Sequence, residues 1–86
     1  MDNIIVTITN AQTTFSFDIE APVWISVERF KSDLYDALMV YQPDLPLRYW
    51  TEFDLICSRS GKRLDNNETI ENSGIWNGDY LIIVDK

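Results

Sequence analysis

The segment from Phe53 to Val84, FDLICSRSGKRLDNNETIENSGIWNGDYLIIV, constrains the fold more than any other stretch. Its chemistry changes every few residues, so only short elements joined by tight turns can fit it. Phe53–Ser58 alternates, with Phe53, Leu55 and Cys57 on one face and Asp54, Ile56 and Ser58 on the other, the period of a half-buried strand. Gly61 marks a turn, and Lys62–Leu64 reads as a short returning strand. Asn66-Asn67 is turn chemistry. Thr69 and Ile70 can open a short helical turn that takes in Glu71. Asn77-Gly78 is a strong turn signal because both residue types tolerate positive φ. The final run, Tyr80–Val84, is apolar without alternation. Such a strand is expected at the centre of a sheet, covered on both faces or left with a sticky outer one.

The chain before this segment supplies what the sheet lacks. Asn3–Thr9 sets Ile4, Val6 and Ile8 against Ile5, Thr7 and Thr9. Asn10-Ala11-Gln12 is a short polar loop. Thr13–Glu20 then sets Phe15, Phe17 and Ile19 against Thr14, Ser16, Asp18 and Glu20, completing a hairpin. Pro22 ends the second strand. Ser26 is an N-cap, with Ile25 and Phe30 at staple positions. Val27, Phe30, Leu34, Ala37, Leu38 and Tyr41 follow one helical face, with Glu28, Lys31, Ser32, Asp33 and Asp36 on the other. The helix is about fifteen residues, or about 22 Å, long. Pro43 and Pro46 forbid its continuation.

The order is therefore hairpin, helix, strand, short strand, turn, strand. The fold class expected is α+β: a mixed sheet packed on one face by a single helix, with the last strand beside and parallel to the first. This is the β-grasp arrangement, in one domain over residues 1–86. Its inner face should collect Ile4, Val6, Phe15, Phe17, Val27, Phe30, Leu34, Leu38, Leu55, Leu64, Ile70, Ile75, Leu81 and Ile83. An apolar fraction of 45% suits such a core in so short a chain.

Charge and residue inventory narrow the function classes. Fourteen acids against seven bases give −7, which disfavours nucleic acid and anionic membrane as partners. One cysteine, Cys57, cannot form an internal disulfide, and no stretch has the length of a membrane span or the pattern of a secretory signal. A cytoplasmic protein is the expectation. With no histidine, acid–base catalysis would fall to a tuned carboxylate or lysine. There is no Gly-rich phosphate loop, and one thiol excludes a ferredoxin cluster. No enzyme activity, cofactor or metal is expected.

The motifs Gly61-Lys62 with Leu64, Thr69-Ile70, and Ser73-Gly74-Ile75 with Asn77-Gly78-Asp79, in this order and behind this hairpin–helix spacing, resemble those of ubiquitin-like β-grasp domains. Nearly the whole chain is similar to the bacterial YukD/EsaB-like family, small soluble components of type VII secretion systems. Tyr49-Trp50 is compatible with it. The resemblance implies a protein-interaction module, an accessory or assembly component whose partners belong to the secretion machinery, foremost the cytoplasmic part of a membrane component. The chain departs from ubiquitin in having only Lys31, Lys62 and Lys86 as lysines and in ending Val84-Asp85-Lys86 without Gly-Gly. The expectation is a module that is not conjugated and carries no sulfur. Met1 and the short C-terminus favour a complete small protein over a domain cut from a larger one. The alternative is a ubiquitin-like adaptor domain of a larger regulatory or membrane protein.

If the last strand lies between the first and third, Tyr80, Ile82 and Val84 face outward, flanked by Ile5 and Ile56, with Thr7, Asp54 and Ser58 as a polar rim. That composition is what a protein-binding site looks like, and its placement resembles the hydrophobic face through which ubiquitin is read. The competing reading is that Tyr80 folds over Ile82 and leaves ordinary surface; a homodimer through this face is a further possibility. Arg59, Lys62 and Arg63 form a secondary candidate, a basic spot for an acidic partner, or simply a solvated turn. Trp24, Trp50 and Trp76 are rim packing or interface anchors. Cys57 is expected to be a buried structural thiol.

Overall fold

The computed structural model describes residues 3–11 and 14–86. Strand β1 (Asn3–Asn10) pairs antiparallel with β2 (Ser16–Pro22). Helix α1 (Val27–Tyr41) follows, then a 3-10 turn at Trp50–Glu52, strand β3 (Phe53–Cys57), a 3-10 turn at Glu71–Ser73, and strand β4 (Tyr80–Asp85). The four-stranded sheet has the order β2-β1-β4-β3. β4 lies between β1, to which it is parallel, and β3, to which it is antiparallel. This is the mixed sheet with one helix that the alternation and the turn signals imply.

The helix begins and ends where its local chemistry dictates. The Ser26 hydroxyl accepts from the Arg29 amide at 3.0 Å, and Ile25 and Phe30, on either side of the cap, are both buried. The chain leaves the helix at Gln42, one residue before Pro43. The core lies between the helix and one sheet face. It takes in the expected inner-face residues together with Ile8, Ala21, Ile25, Phe53 and Cys57. Phe15 and Phe17 are only half-buried, and β2, which carries Phe17, is the outermost strand of the sheet among the described residues.

Several expectations need correction. Strand β2 covers Ser16–Pro22, not 13–20, and Gln12 and Thr13 lie outside the described residues. Pro22 is its last residue; on an edge strand its missing N–H costs no ladder bond. Lys62–Leu64 is not a strand. It makes one bridge, Arg63 to Ile56, with Cys57 N–H donating to Lys62 O and Leu64 N–H to Leu55 O, each at 2.9 Å. The chain then turns at once, because the Asp65 side chain accepts from the Asn67 amide at 2.9 Å and closes an Asx turn. Lys31, assigned to the solvent face, is buried, and Tyr41, assigned to the apolar face, is exposed. Finally, Asn77 does not take positive φ: among the described residues only glycines do. Gly78, at φ 89°, supplies the third position of a Trp76–Asp79 turn, as a type II turn needs. Asn77 instead uses its side-chain oxygen to accept from the Ile5 amide at 2.8 Å.

Candidate protein-interaction face

The register places the outward residues. Thr7 is level with Tyr80, Thr9 with Ile82, Ile82 with Ile56 and Val84 with Asp54. The Gly78 amide donates to the Ile5 carbonyl at 2.7 Å, so Ile5 lies just beyond Tyr80 at the end where β4 begins. The sequence-predicted set therefore does share one face, opposite the helix. Ile82 and Ile56 form its middle, Tyr80 and Val84 extend it along β4, and Ile5 closes one corner. Tyr80 is 55% and Ile5 49% exposed, while Ile56, Ile82 and Val84 are half-buried. Tyr80 thus stands open to solvent, although Ile82 keeps only part of its surface.

The rim is polar and partly fixed. On the β2 side the Thr7 hydroxyl donates to Asp18 at 2.7 Å and the Asn3 amide to Glu20 at 2.6 Å. On the β3 side Asp54 accepts from Arg63 at 2.7 Å and from Lys31 at 3.3 Å. Burial alone would push the Asp54 carboxyl up. The bonds from Arg63 and Lys31 outweigh that and hold it below the usual carboxylate range.

The basic candidates are dispersed in their commitments. Arg59 pairs with Asp79 at 3.0 Å, Lys62 with Glu68 at 3.1 Å and Arg63 with Asp54 at 2.7 Å. Their charge is answered locally, so they do not make an open basic patch. Arg59 serves a structural end as well. Its guanidinium lies 3.8 Å from the Trp76 ring centroid and donates to the Gly74 carbonyl at 2.7 Å. Trp76, 64% exposed, is thereby held at the end of the sheet, beside the turn that contacts Ile5. Trp24 is also exposed, at 66%. Trp50 packs partly on the core.

Sequence reasoning missed the two polar junctions that fix this face. One is Asp79, which the Gly-Asp signal marks only as a turn residue. The other is the Lys31–Asp54 contact, for which a charged residue at i+4 from Val27 and i−3 from Leu34, inside the apolar stripe's flank, was the available signal. Cys57 is buried as expected, its thiol 3.5 Å from Asp79 Oδ2.

No protein-family model and no curated protein matches the chain. Solved structures do. The ubiquitin-like domain of Arabidopsis thaliana protein At2g32350 superposes with a TM-score of 0.72 at 18% identity, over 100% of this chain and 80% of that one. The N-terminal ubiquitin-like domain of the 4931431F19Rik protein superposes at 0.69 with 20% identity, over 99% and 76%. A chain of the MycP5-free ESX-5 inner membrane complex superposes at 0.79 with 13% identity, over 100% of this chain but 21% of that one. The fold is the ubiquitin-like β-grasp. At these identities the likeness is one of fold.

Proposed function

We propose that the protein is an interaction module that works by reversible binding through the sheet face of Ile5, Ile56, Tyr80, Ile82 and Val84, rather than by catalysis. The observation that carries this is the face itself: contiguous large apolar side chains opposite the helix, with Ile5 and Tyr80 open to solvent and a hydrogen-bonded polar rim. Such an arrangement matches the core and rim of a protein interface. We further propose that it serves in the bacterial cytoplasm as an accessory or assembly component of a type VII secretion system. The motif resemblance supports this, and so does the superposition on a chain of the ESX-5 inner membrane complex. The second reading, an adaptor domain of a larger regulatory or membrane protein, is favoured by the 21% coverage of that chain, which carries this fold as one part of a much longer polypeptide.

The test is Ile82→Asp. On an open face the charge stays in water, so the fold persists and partner binding is lost, as read by circular dichroism and by recovery of complexes from native cells. A variant that unfolds would show that the face is covered within the monomer. A folded variant that keeps every partner would move the site elsewhere. Recovery of a secretion-system membrane component with the wild type supports the secretion role; recovery of unrelated regulatory proteins alone supports the adaptor reading.

A further inference from the structure

On the helix side of the sheet, the link into α1 and the turn before β3 carry aromatic rings that the outer face does not use. Trp24 and Trp50 both line a shallow groove beside the first turns of α1, together with Ser26, Glu28 and Ser32. From Trp50 the aromatic surface continues to Tyr49, with ring centroids 5.8 Å apart, and on to Tyr35 of α1, which meets Tyr49 edge-on at 5.1 Å. Trp24 and Tyr49 are exposed, and Trp50 and Tyr35 are half-buried. The backbone fixes both anchors. The Val23 carbonyl accepts from the Glu71 amide and the Ile25 carbonyl from the Ile70 amide, each at 2.9 Å, so the chain is pinned on either side of Trp24. The Glu52 amide donates to the Tyr49 carbonyl at 2.8 Å and closes the turn that holds Trp50. Rings already held in this way lose little freedom on binding.

The chemistry of the groove narrows what can fill it. The first-turn amides of α1 are spent on the Glu68 and Asn66 carbonyls and the Ser26 hydroxyl, which leaves no anion site. The lining comes from a helix and turns, so an added strand finds no ladder. Ser26 and Ser32 interrupt the apolar surface that an amphipathic helix would need. What the groove does offer is donors: indole nitrogens only donate, and phenol and serine hydroxyls can donate. Among the described residues the polar tips of Trp24, Trp50, Tyr49 and Tyr35 have no hydrogen-bond partner. It also offers negative charge. Glu28 in the groove, Asp36 beside Tyr35 and Glu52 in the Trp50 turn are exposed, and none of them is in an ion pair among the described residues. The nearby Arg29 is paired with Asp33 at 3.5 Å.

We propose that this groove docks a proline-rich segment in the polyproline II conformation that ends in arginine or lysine. Such a chain is the complement of a row of aromatic faces with free donors and an acidic rim. Its proline rings pack on Trp24, Trp50 and Tyr49. Its carbonyls, which no internal hydrogen bond uses, accept from the indoles and hydroxyls. Its cation meets Glu28. The site lies on the helix side of the sheet, away from Ile82, and does not depend on the outer-face reading.

The test titrates the full chain with a synthetic peptide of proline and leucine that ends in arginine. The indole N–H resonances of Trp24 and Trp50 should shift and saturate. Trp24→Ala and, independently, Tyr49→Ala each remove an exposed ring; either should weaken binding by about tenfold or more while the circular dichroism spectrum is kept. Glu28→Gln should weaken the arginine peptide and leave an arginine-free one as it was. Ile82→Asp should bind as the wild type does. Equal binding of a peptide with alanine in place of proline would overturn the polyproline reading. Shifts confined to the amides of Ile56 and Ile82 would move the peptide to the outer face and overturn the site. Indole resonances that stay still at millimolar peptide would overturn the proposal altogether.

Discussion

At Asp79 one carboxylate accepts from Arg59 Nε at 3.0 Å, Arg59 Nη2 at 3.0 Å, the Trp76 amide at 2.8 Å and the Cys57 thiol at 3.5 Å. The Arg59 bonds come first in holding its carboxyl below the usual range. Its stabilising contribution is therefore present above the unfolded value, about 3.9, and is lost as pH falls through the lower folded value. Asp79→Asn should cost about 1–3 kcal/mol near neutral pH, since donors arranged for a carboxylate lose part of their acceptor. Urea denaturation should show that difference shrinking below about pH 4; a constant difference would mean that the charge is irrelevant. Lys31 poses the opposite case. It is 1% exposed, with Nζ 3.3 Å from Asp54 Oδ1, 3.1 Å from Asn66 Oδ1 and 5.6 Å from the Phe53 ring centroid. Burial lowers its pKa more than Asp54 raises it, so the folded state bears a cost for the charge that eases as pH climbs toward the unfolded value of about 10.4. Lys31→Met keeps the packing and removes that cost, so it should be neutral or stabilising by about 1 kcal/mol or more. Asp54→Ala strands the ammonium and should be the more destabilising of the two by equilibrium unfolding at pH 7. The reverse order would show that the ion pair is net favourable.

Among the elements, α1 is where a single side chain decides most. Phe30 is 2% exposed at the start of the helix, packed in the cluster that joins the helix to the sheet. Phe30→Ala should cost about 3–5 kcal/mol, a large part of what a domain this size has. A melting temperature within a degree or two of wild type would contradict that packing. The helix was readable in sequence because cap, stripe and terminating prolines all act locally and agree. The alternation of β1 and β3 was readable for the same reason, and the unalternating β4 announced its central place. The Lys62–Leu64 strand was not readable as a bridge, because its length is set by where Leu64 must turn into the core and by the Asp65 turn behind it. Lys31 was misread because periodicity registers residue type and not reach: a long stem at the stripe's edge carries its ammonium past Phe53 to Asp54. Tyr41 was misread because the last turn of the helix sits over the outer strand β2, where its ring meets the half-buried Phe17 and stays largely exposed. The outer face could be drawn from strand order and alternation alone. The commitments of Arg59, Lys62 and Arg63 could not, since their acids lie 20, 6 and 9 residues away.

At the scale of the whole molecule, charge and the open sheet face pull against each other. The face is apolar enough to meet a second copy of itself, as a strand like Tyr80–Asp85 invites. Against this stands a net charge of −7 on a chain whose cations are largely spent on neighbours: Arg29 on Asp33, Lys31 and Arg63 on Asp54, Arg48 on Asp85, Arg59 on Asp79 and Lys62 on Glu68. Asp18 and Glu20 lie on the flank of the same sheet. At about 0.01 M salt the screening length is about 30 Å, comparable to the molecule's longest dimension of 33 Å, so two copies repel with nearly their full charge. At about 1 M it falls to about 3 Å and only contact pairs are felt. Sedimentation equilibrium should therefore find a monomer at low salt. Any self-association should appear only as salt rises, and should vanish in Ile82→Asp if it runs through this face. A dimer at low salt that dissociates as salt is added would mean that ion pairs between copies, and not the apolar face, hold it together.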